Sequence, residues 1–157
     1  MVAIRGIEEL LGEIDIFRDL DAEARTLIAG CSVNEQFRPQ SFIFREGQPA
    51  NRFYLIRHGT VTIEVYVPGR EPIVLETLHR GDVLGWSWIA PPYRWSFDAR
   101  AVEQTRAISV DAECLRTKCE QDPKLGFTLY RSFMPVVADR LHSARTRLID
   151  MYGHPDG

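Results

Sequence analysis

The spacing of hydrophobic residues changes twice along this chain, and each change predicts a change of structure. Between residues 6 and 30 apolar side chains recur every three or four positions, which predicts two short helices, the second capped by Asp21. From Val33 to Val110 the period is two, and glycine, proline and asparagine turns separate the segments. After Asp111 the helical period returns. The predicted order is therefore helix, strand, helix.

Seven short strands are predicted in the central region. Their bounds are Val33–Phe37, Ser41–Phe44, Arg52–Arg57, Thr60–Val67, Pro72–Leu78, Phe97–Ala101 and Arg106–Val110. Many short strands at even spacing are typical of a sandwich, a barrel or a jelly roll. In the fourth of these strands, valine and isoleucine alternate with Thr62, Glu64 and Tyr66, so one face is predicted to be buried and the other more polar.

Two helices are predicted after the strands. Asp111 is placed to cap a helix that reaches about Glu120, and Asp122 followed by Pro123 is a typical helix start. The second helix is long and carries a continuous apolar stripe. Its residues are Leu125, Leu129, Phe133, Val137, Leu141, Ala144, Leu148 and Met151. Pro135 lies inside this helix and is predicted to bend it or to remove one hydrogen bond.

The end of the stripe has two interpretations. Leu141, Ala144, Leu148 and Met151 follow a heptad, so they either pack on their own domain or pair with a second copy as a short coiled coil. The heptad favours pairing, and the expected form is a symmetric dimer.

Composition restricts the class of protein. The 157 residues fit one domain, and 45% hydrophobic and 26% charged residues are ordinary for a soluble globular chain. A net charge of −3 argues against a basic nucleic-acid surface. No apolar run approaches the roughly 18 residues of a membrane span, and no signal peptide is recognisable, so we expect a cytoplasmic protein.

The cysteine and histidine residues do not predict a disulfide framework, a metal site or an active site. Cys31, Cys114 and Cys119 are odd in number and lack a Cys-x-x-Cys spacing, so neither a disulfide framework nor a metal site is predicted. His58 and His79 do not form the His-x-His pair that a metal centre on a similar barrel would need. No nucleophile, base and orienting group can be assembled, so we expect no enzyme and no metal.

An aromatic-rich insertion interrupts the strands between residues 81 and 101. Gly81, Asp82 and Gly85 permit tight turns and a close approach of the backbone to a bound group. A short helix is predicted just after them, and the amide groups at its start would attract a phosphate or carboxylate. All three tryptophans of the chain lie in this insertion, which is therefore the predicted ligand site.

Several residues of the insertion have two interpretations each. The four large aromatic residues either stack on a flat ligand or fill the core and cover its mouth. They are Trp86, Trp88, Tyr93 and Trp95. Asp82 is either an acceptor for a ligand hydroxyl or a helix cap. Arg94 and Arg100 are either anion ligands or surface and packing residues.

The chain resembles the cyclic-nucleotide-binding domain family, and within it the effector domains of the catabolite activator and fumarate-nitrate regulator transcription factors. The segment from Phe42 to Val61, with glycine turns at Gly47 and Gly59, is similar to the second to fourth strands of the family. Gly81-Asp82 stands where the phosphate-binding cassette opens, and the long last helix is the third similarity. The resemblance implies an eight-stranded antiparallel jelly roll, mainly β, with short N-terminal helices and a long C-terminal helix that closes over the ligand and pairs in a dimer.

The cassette of cyclic nucleotide binders opens with Gly-Glu and closes with an arginine followed by two small residues. By this resemblance Gly81 matches and Asp82 keeps the charge on a shorter side chain, whereas the arginine position falls at Trp95, followed by Ser96 and Phe97. Arg94, one residue away, offers a planar fork for a phosphate if the loop is shifted. Gly81-Asp-Val-Leu-Gly is closer to the fumarate-nitrate regulator branch, whose N-terminal cysteine cluster is missing from residues 1–30.

The resemblance and the residues together predict one regulatory domain, 1–157. Its parts are N-terminal helices at 1–30, a jelly roll at 31–110 with the cassette at 81–101, and C-terminal helices at 111–152. We expect a small anionic ligand, with cyclic AMP or cyclic GMP as the suggested nucleotide, and no other cofactor. The predicted ligand residues are Gly81, Asp82, Gly85, Trp86, Tyr93, Arg94, Trp95 and Ser96.

The alternative is a degenerate sensor that binds no nucleotide and acts as a dimeric interaction module for a protein partner. In that case its own tryptophans would fill the pocket. The family's DNA-reading helix-turn-helix would need a further small domain after the long helix. We therefore expect no helix-turn-helix domain and no direct binding of nucleic acid. Since no apolar run is long enough for a membrane span, we also expect no binding to a membrane.

Overall fold

The computed structural model describes residues 6–152, and residues 1–5 and 153–157 of the predicted domain lie outside the described residues. Two four-stranded antiparallel sheets face each other. Sheet A has the order β1-β8-β3-β6 and sheet B the order β2-β7-β4-β5. The strands are β1 Ser32–Phe37, β2 Phe42–Phe44, β3 Arg52–His58, β4 Val61–Val65, β5 Ile73–Leu78, β6 Val83–Leu84, β7 Asp98–Ala101 and β8 Thr105–Asp111. The predicted eight-stranded antiparallel jelly roll is confirmed.

Helices flank the jelly roll at both ends of the chain. They are α1 Ile7–Leu11, a 3-10 turn at Asp15–Phe17, α2 Ala22–Ala29, α3 Ala112–Gln121 and α4 Pro123–Tyr152. The predicted caps are confirmed: the carboxylates of Asp21, Asp111 and Asp122 accept hydrogen bonds from the amides three residues on, at 2.8, 3.1 and 3.2 Å. Pro135 lies inside α4 without ending it. Within residues 6–152, none of the helices combines the length and the apolar content that a membrane crossing requires.

Two hydrophobic cores hold these layers together. One lies between the outer face of sheet A and the helices, and it includes Phe53, Ile108, Leu129 and Phe133. The other lies between the two sheets and includes Phe44, Tyr54, Ile63, Trp95 and Ala99. Strand residues supply both cores because successive side chains point to opposite faces of sheet A. The helices are thereby attached to sheet A over a broad apolar surface.

The expectation that the chain lacks a disulfide is wrong. Cys31 and Cys114 are bonded, although 83 positions separate them in the sequence. The pairing of β1 with β8 sets Ser32 opposite Val110 and so brings the start of α3 beside the end of α2, with 5.8 Å between the two cysteine Cα atoms. Short-range cysteine spacing carries no information about such a contact. Cys119 is free and buried.

The more polar face of β4 is also buried over residues 62–64. Thr62 and Glu64 are both buried, and the guanidinium of Arg100 lies 2.8 Å from a Glu64 carboxylate oxygen that also accepts from the Thr62 hydroxyl at 2.5 Å. A buried charge is tolerated when it is paired and hydrogen-bonded. Arg100 therefore has a structural partner on sheet B rather than a free guanidinium for an anion.

Candidate functional site

A cavity lies between sheet B, the loop that follows β6, and α4. Its walls are aromatic, from Phe44, Trp86, Trp95 and Phe97, and its polar groups include the hydroxyls of Ser87, Ser96 and Ser143. The cavity volume is about 40 Å³. This is room for only a few water molecules, whereas pockets for drug-sized ligands measure roughly 300–1,000 Å³.

Trp95 accounts for the small volume. Its side chain is only 6% exposed, and its ring stacks on Phe44 with 3.7 Å between ring centroids and 7° between planes. The backbone fixes this position, because the Trp95 amide donates to the Gln48 carbonyl and the Trp95 carbonyl accepts from the Gly47 amide, at 3.0 and 2.8 Å. Trp95 is therefore part of the core between the sheets and occupies space that a ligand would need.

Trp88 belongs to the other core. It is fully buried, with its ring centroid 4.9 Å from that of Phe53 and 5.1 Å from that of Phe133. The indole nitrogen has no hydrogen-bond partner among the described residues. Trp86 is half-buried and lines the cavity. Of the three tryptophans, two thus pack in the cores and Trp86 remains beside the open part of the cavity.

The short helix predicted after Gly85 is wrong. Residues 86–97 form turns, with the Ile89 amide bonded to the Trp86 carbonyl and the Tyr93 amide bonded to the Ala90 carbonyl, both at 3.1 Å. Pro91 and Pro92 lack the amide hydrogens that a helix would use, which explains the difference. The predicted row of free amide groups at a helix start does not exist, so this loop supplies no helix dipole for an anion.

Gly81 and Asp82 lie in the turn before β6 and do not line the cavity. The Asp82 carboxylate accepts from the His79 amide at 2.8 Å, and the Gly81 amide donates to the Ile56 carbonyl at 2.8 Å. Asp82 therefore stabilises the turn as a local cap. Gly85, on the other side of β6, does line the cavity.

Tyr93 and Arg94 anchor the loop to the rest of the fold. The Arg94 guanidinium donates to the Gly47 carbonyl at 2.8 Å, and the Arg116 guanidinium carbon lies 4.2 Å from the centre of the Tyr93 ring. Neither residue lines the cavity. Among the predicted ligand residues the structure thus brings together Gly85, Trp86, Trp95 and Ser96, and it places Gly81, Asp82, Tyr93 and Arg94 elsewhere.

Arg140 of α4 and Glu76 of β5 also line the cavity, and sequence reasoning missed both. The Arg140 guanidinium donates to the Glu76 carboxylate at 2.8 Å and to the Val83 carbonyl. Burial raises the pKa of the Glu76 carboxyl, while the Arg140 charge opposes this shift. The two residues stand 64 positions apart, and no local pattern links them. Ala144, one of the predicted dimer residues, lines the same cavity.

The packing of the Trp95 ring against Gly85 in the cavity wall can be tested directly by substitution. A Cβ atom at Gly85 would lie 2.6 Å from the Trp95 ring, and Gly85 has a φ of +97°. Gly85→Ala should lower the free energy of unfolding by about 2–4 kcal/mol, from backbone strain together with overpacking. Gly81→Ala is the matched control, because Gly81 has a φ of +91° but open space around it, and it should cost only about 1–2 kcal/mol. Urea unfolding would measure both, and equal losses would contradict the packing of Trp95 on Gly85.

Known proteins share this fold and parts of this sequence. The model of the cyclic nucleotide-binding domain matches residues 34–122, which is more than half of the chain. A candidate cyclic nucleotide-binding protein from Geobacter metallireducens GS-15 superposes with a TM-score of 0.77 at 27% identity, covering 88% of this chain and 100% of that one. A cyclic nucleotide-binding domain from Methylobacillus flagellatus KT reaches a TM-score of 0.77 at 18% identity, covering 93% and 82%, which shows the fold alone.

A curated relative is the CRP-like cAMP-activated global transcriptional regulator of Mycobacterium tuberculosis, strain H37Rv. It is 28% identical over 150 residues, which are 92% of this chain and 63% of the relative. The chain thus spans less than two thirds of that regulator's length. The family match, the two facing sheets and the long last helix agree, and the chain belongs to the cyclic nucleotide-binding domain family.

Proposed function

We propose that this chain is a regulatory domain that acts as a dimer through α4 and that its cavity does not accept a cyclic nucleotide. The observation that carries the proposal is Trp95, whose ring stacks on Phe44 and narrows the cavity. By the resemblance to the family, Trp95 stands at the position expected for the phosphate-binding arginine. A tryptophan cannot pair with a phosphate, because the indole offers one N–H donor and no positive charge.

The charges around the cavity support the same conclusion. Among the described residues that line it, Arg140 is the only cation, and it is already paired with Glu76. Asp82 and Arg94, the residues expected to hold a ribose hydroxyl and a phosphate, are engaged in turns outside the cavity. A nucleotide would therefore find no cation besides Arg140 among the described lining residues, and its ribose and base would need the space that the Trp95 ring occupies.

The surface of α4 supports the dimer. Phe127, Met134, Leu141 and Leu148 follow one another at intervals of seven and are 65, 58, 72 and 56% exposed. Tyr130, Val137, Ala144 and Met151 lie three positions after each of these. This is the a and d pattern of a two-stranded coiled coil, sustained over four heptads. Residues 145–152 are all exposed in the single chain, so a second copy of α4 would cover apolar surface that the domain leaves open.

Calorimetry tests the ligand part of the proposal. Cyclic AMP and cyclic GMP titrated into the wild-type chain should produce no saturable heat. Trp95→Arg restores the arginine at the position that the family uses, and Trp95→Ala empties the same space without adding a charge, so the pair separates loss of the ring from gain of the cation. Saturable binding of either nucleotide to the wild type would refute the proposal.

Sedimentation tests the dimer. The wild type should sediment as a dimer at micromolar concentration. Leu141→Glu should shift it to monomer, because each copy would then place a charged side chain in the apolar seam. His142→Glu is the control, since His142 lies on α4 next to Leu141 but outside the a and d positions. A monomeric wild type, or equal effects of the two variants, would contradict pairing through this face.

A further inference from the structure

We propose that the cavity beside α4 binds a small aromatic monocarboxylate, and that the carboxylate of this ligand replaces Glu76 on Arg140. The inference rests on the proposed function of the chain as a regulatory domain, and it names the ligand class of the same cavity.

The residues that line the cavity favour a ligand with an apolar body and one negatively charged group. Four aromatic rings together with Ile63, Leu75 and Ala144 form the apolar walls, and three serine hydroxyls are the uncharged polar side-chain groups. Arg140 is the one cation among the described lining residues. Apolar walls with a few placed polar groups are typical of sites for small organic molecules, and a single guanidinium matches a single carboxylate.

Glu76 already shows how a carboxylate binds there. Its oxygen accepts from the Arg140 guanidinium at 2.8 Å, and the remaining contact of Arg140 is the Val83 carbonyl. Burial disfavours the charged form of Glu76, as the raised pKa of its carboxyl indicates. A ligand carboxylate would keep the charge-assisted hydrogen bonds of Arg140, while Glu76, which is partly exposed, is released toward water.

The exchange would also enlarge the cavity. The closed volume of about 40 Å³ is too small for an aromatic ring, so binding must be accompanied by movement of a wall. Beyond Arg140 only Ser143 and Ala144 of α4 are half-buried, and residues 145–152 are exposed, so the end of α4 can move without exposing a large core. A ligand that binds only the open arrangement shifts the helix by its difference in affinity for the two arrangements.

Tryptophan fluorescence of the full chain tests this proposal, because Trp86 and Trp95 line the cavity. Benzoate and phenylacetate are the probes, and benzamide and benzyl alcohol are their uncharged controls. We expect benzoate and phenylacetate to produce a saturable change in emission, and benzamide and benzyl alcohol to produce none. Glu76→Gln should tighten carboxylate binding by roughly tenfold, because it removes the competing charge but keeps the shape. Arg140→Gln should abolish the saturable change.

Arg145→Gln is the matched control, since Arg145 lies on α4 five positions after Arg140 and is exposed. It should bind the probes as the wild type does. If Arg140→Gln does not fold, as circular dichroism would show, Arg140→Lys replaces it; lysine keeps the charge but lacks the planar fork, and it should weaken binding several-fold. No saturable response in the wild type and in Glu76→Gln, an equal response to benzamide, or unchanged binding by the Arg140 variant would each overturn the proposal.

The two proposals fail separately. A dimer that binds no cyclic nucleotide and also no aromatic carboxylate would overturn the ligand class and leave the proposed function standing. Saturable heat with cyclic AMP or cyclic GMP would overturn the proposed function whatever benzoate does.

Discussion

Reduction of the Cys31–Cys114 disulfide is expected to lower the melting temperature of this protein by roughly 10–15 °C. The bond joins positions 83 apart, so it encloses the whole jelly roll in one loop. In the chain-entropy account, a cross-link over a loop of this length stabilises the folded state by about 4.5 kcal/mol. Each kcal/mol corresponds to about 2–4 °C for a chain of this size. Thermal melts with and without a phosphine reductant would measure the shift.

Thiol counting and a matched variant control this experiment. One thiol, that of Cys119, should react in the unfolded oxidised protein, and all three should react after reduction. The double variant Cys31→Ser/Cys114→Ser should melt at the lower temperature without reductant. Cys119→Ala should keep the full dependence on reductant, since Cys119 lies outside the disulfide. A melting temperature that does not change while all three thiols become reactive would contradict the expected stabilisation.

Phe133→Ala is expected to lower the free energy of unfolding by about 3–5 kcal/mol, as for other large residues removed from a core. Phe133 is fully buried, and its ring centroid lies 5.0 Å from that of Phe53, 5.1 Å from that of Trp88 and 6.3 Å from that of Phe17. It therefore joins α4 to sheet A, to the loop after β6 and to the N-terminal helical segment. Denaturation in urea, followed by circular dichroism, would measure the loss.

Phe127→Ala is the matched control on the same helix. Phe127 is 65% exposed, so its removal should change the free energy of unfolding of the monomer by less than about 0.5 kcal/mol. The same variant should weaken the dimer, because Phe127 occupies the first seam position of α4. Equal losses of stability for the two phenylalanines at low protein concentration would contradict this division of α4 into a core face and a pairing face.

Local patterns predict much of this fold. The caps at Asp21, Asp111 and Asp122 could be recognised because a carboxylate before an apolar helical run accepts the free amides of the first turn. Seven of the eight strands follow from the period of two. The exception is Val83–Leu84, since a strand of two residues is too short to show any period.

The site depends on contacts between distant parts of the chain, and here local patterns are insufficient. The sequence predicts a short helix after Gly85, but Pro91 and Pro92 favour turns there. The disulfide follows from the pairing of β1 with β8, and the Arg140–Glu76 pair follows from the path of α4 across sheet B. Whether the tryptophans face a ligand or a core could not be decided from residue type, because an aromatic ring is equally suited to both.

A hydrogen bond to the Val83 carbonyl connects α4 to β6, so a movement of the helix would act on this strand. The carbonyl accepts from Arg140 of α4, and it belongs to β6, a two-residue edge strand of sheet A with a left-handed glycine on each side, Gly81 and Gly85. Glycine changes its backbone angles at little steric cost, so these two positions would allow β6 to shift between them. If α4 slid by one helical turn, about 5.4 Å, the hydrogen bond from Arg140 to Val83 would break unless β6 moved with the helix. Because Trp86 directly follows Gly85, a shift of β6 would change the surroundings of the Trp86 indole.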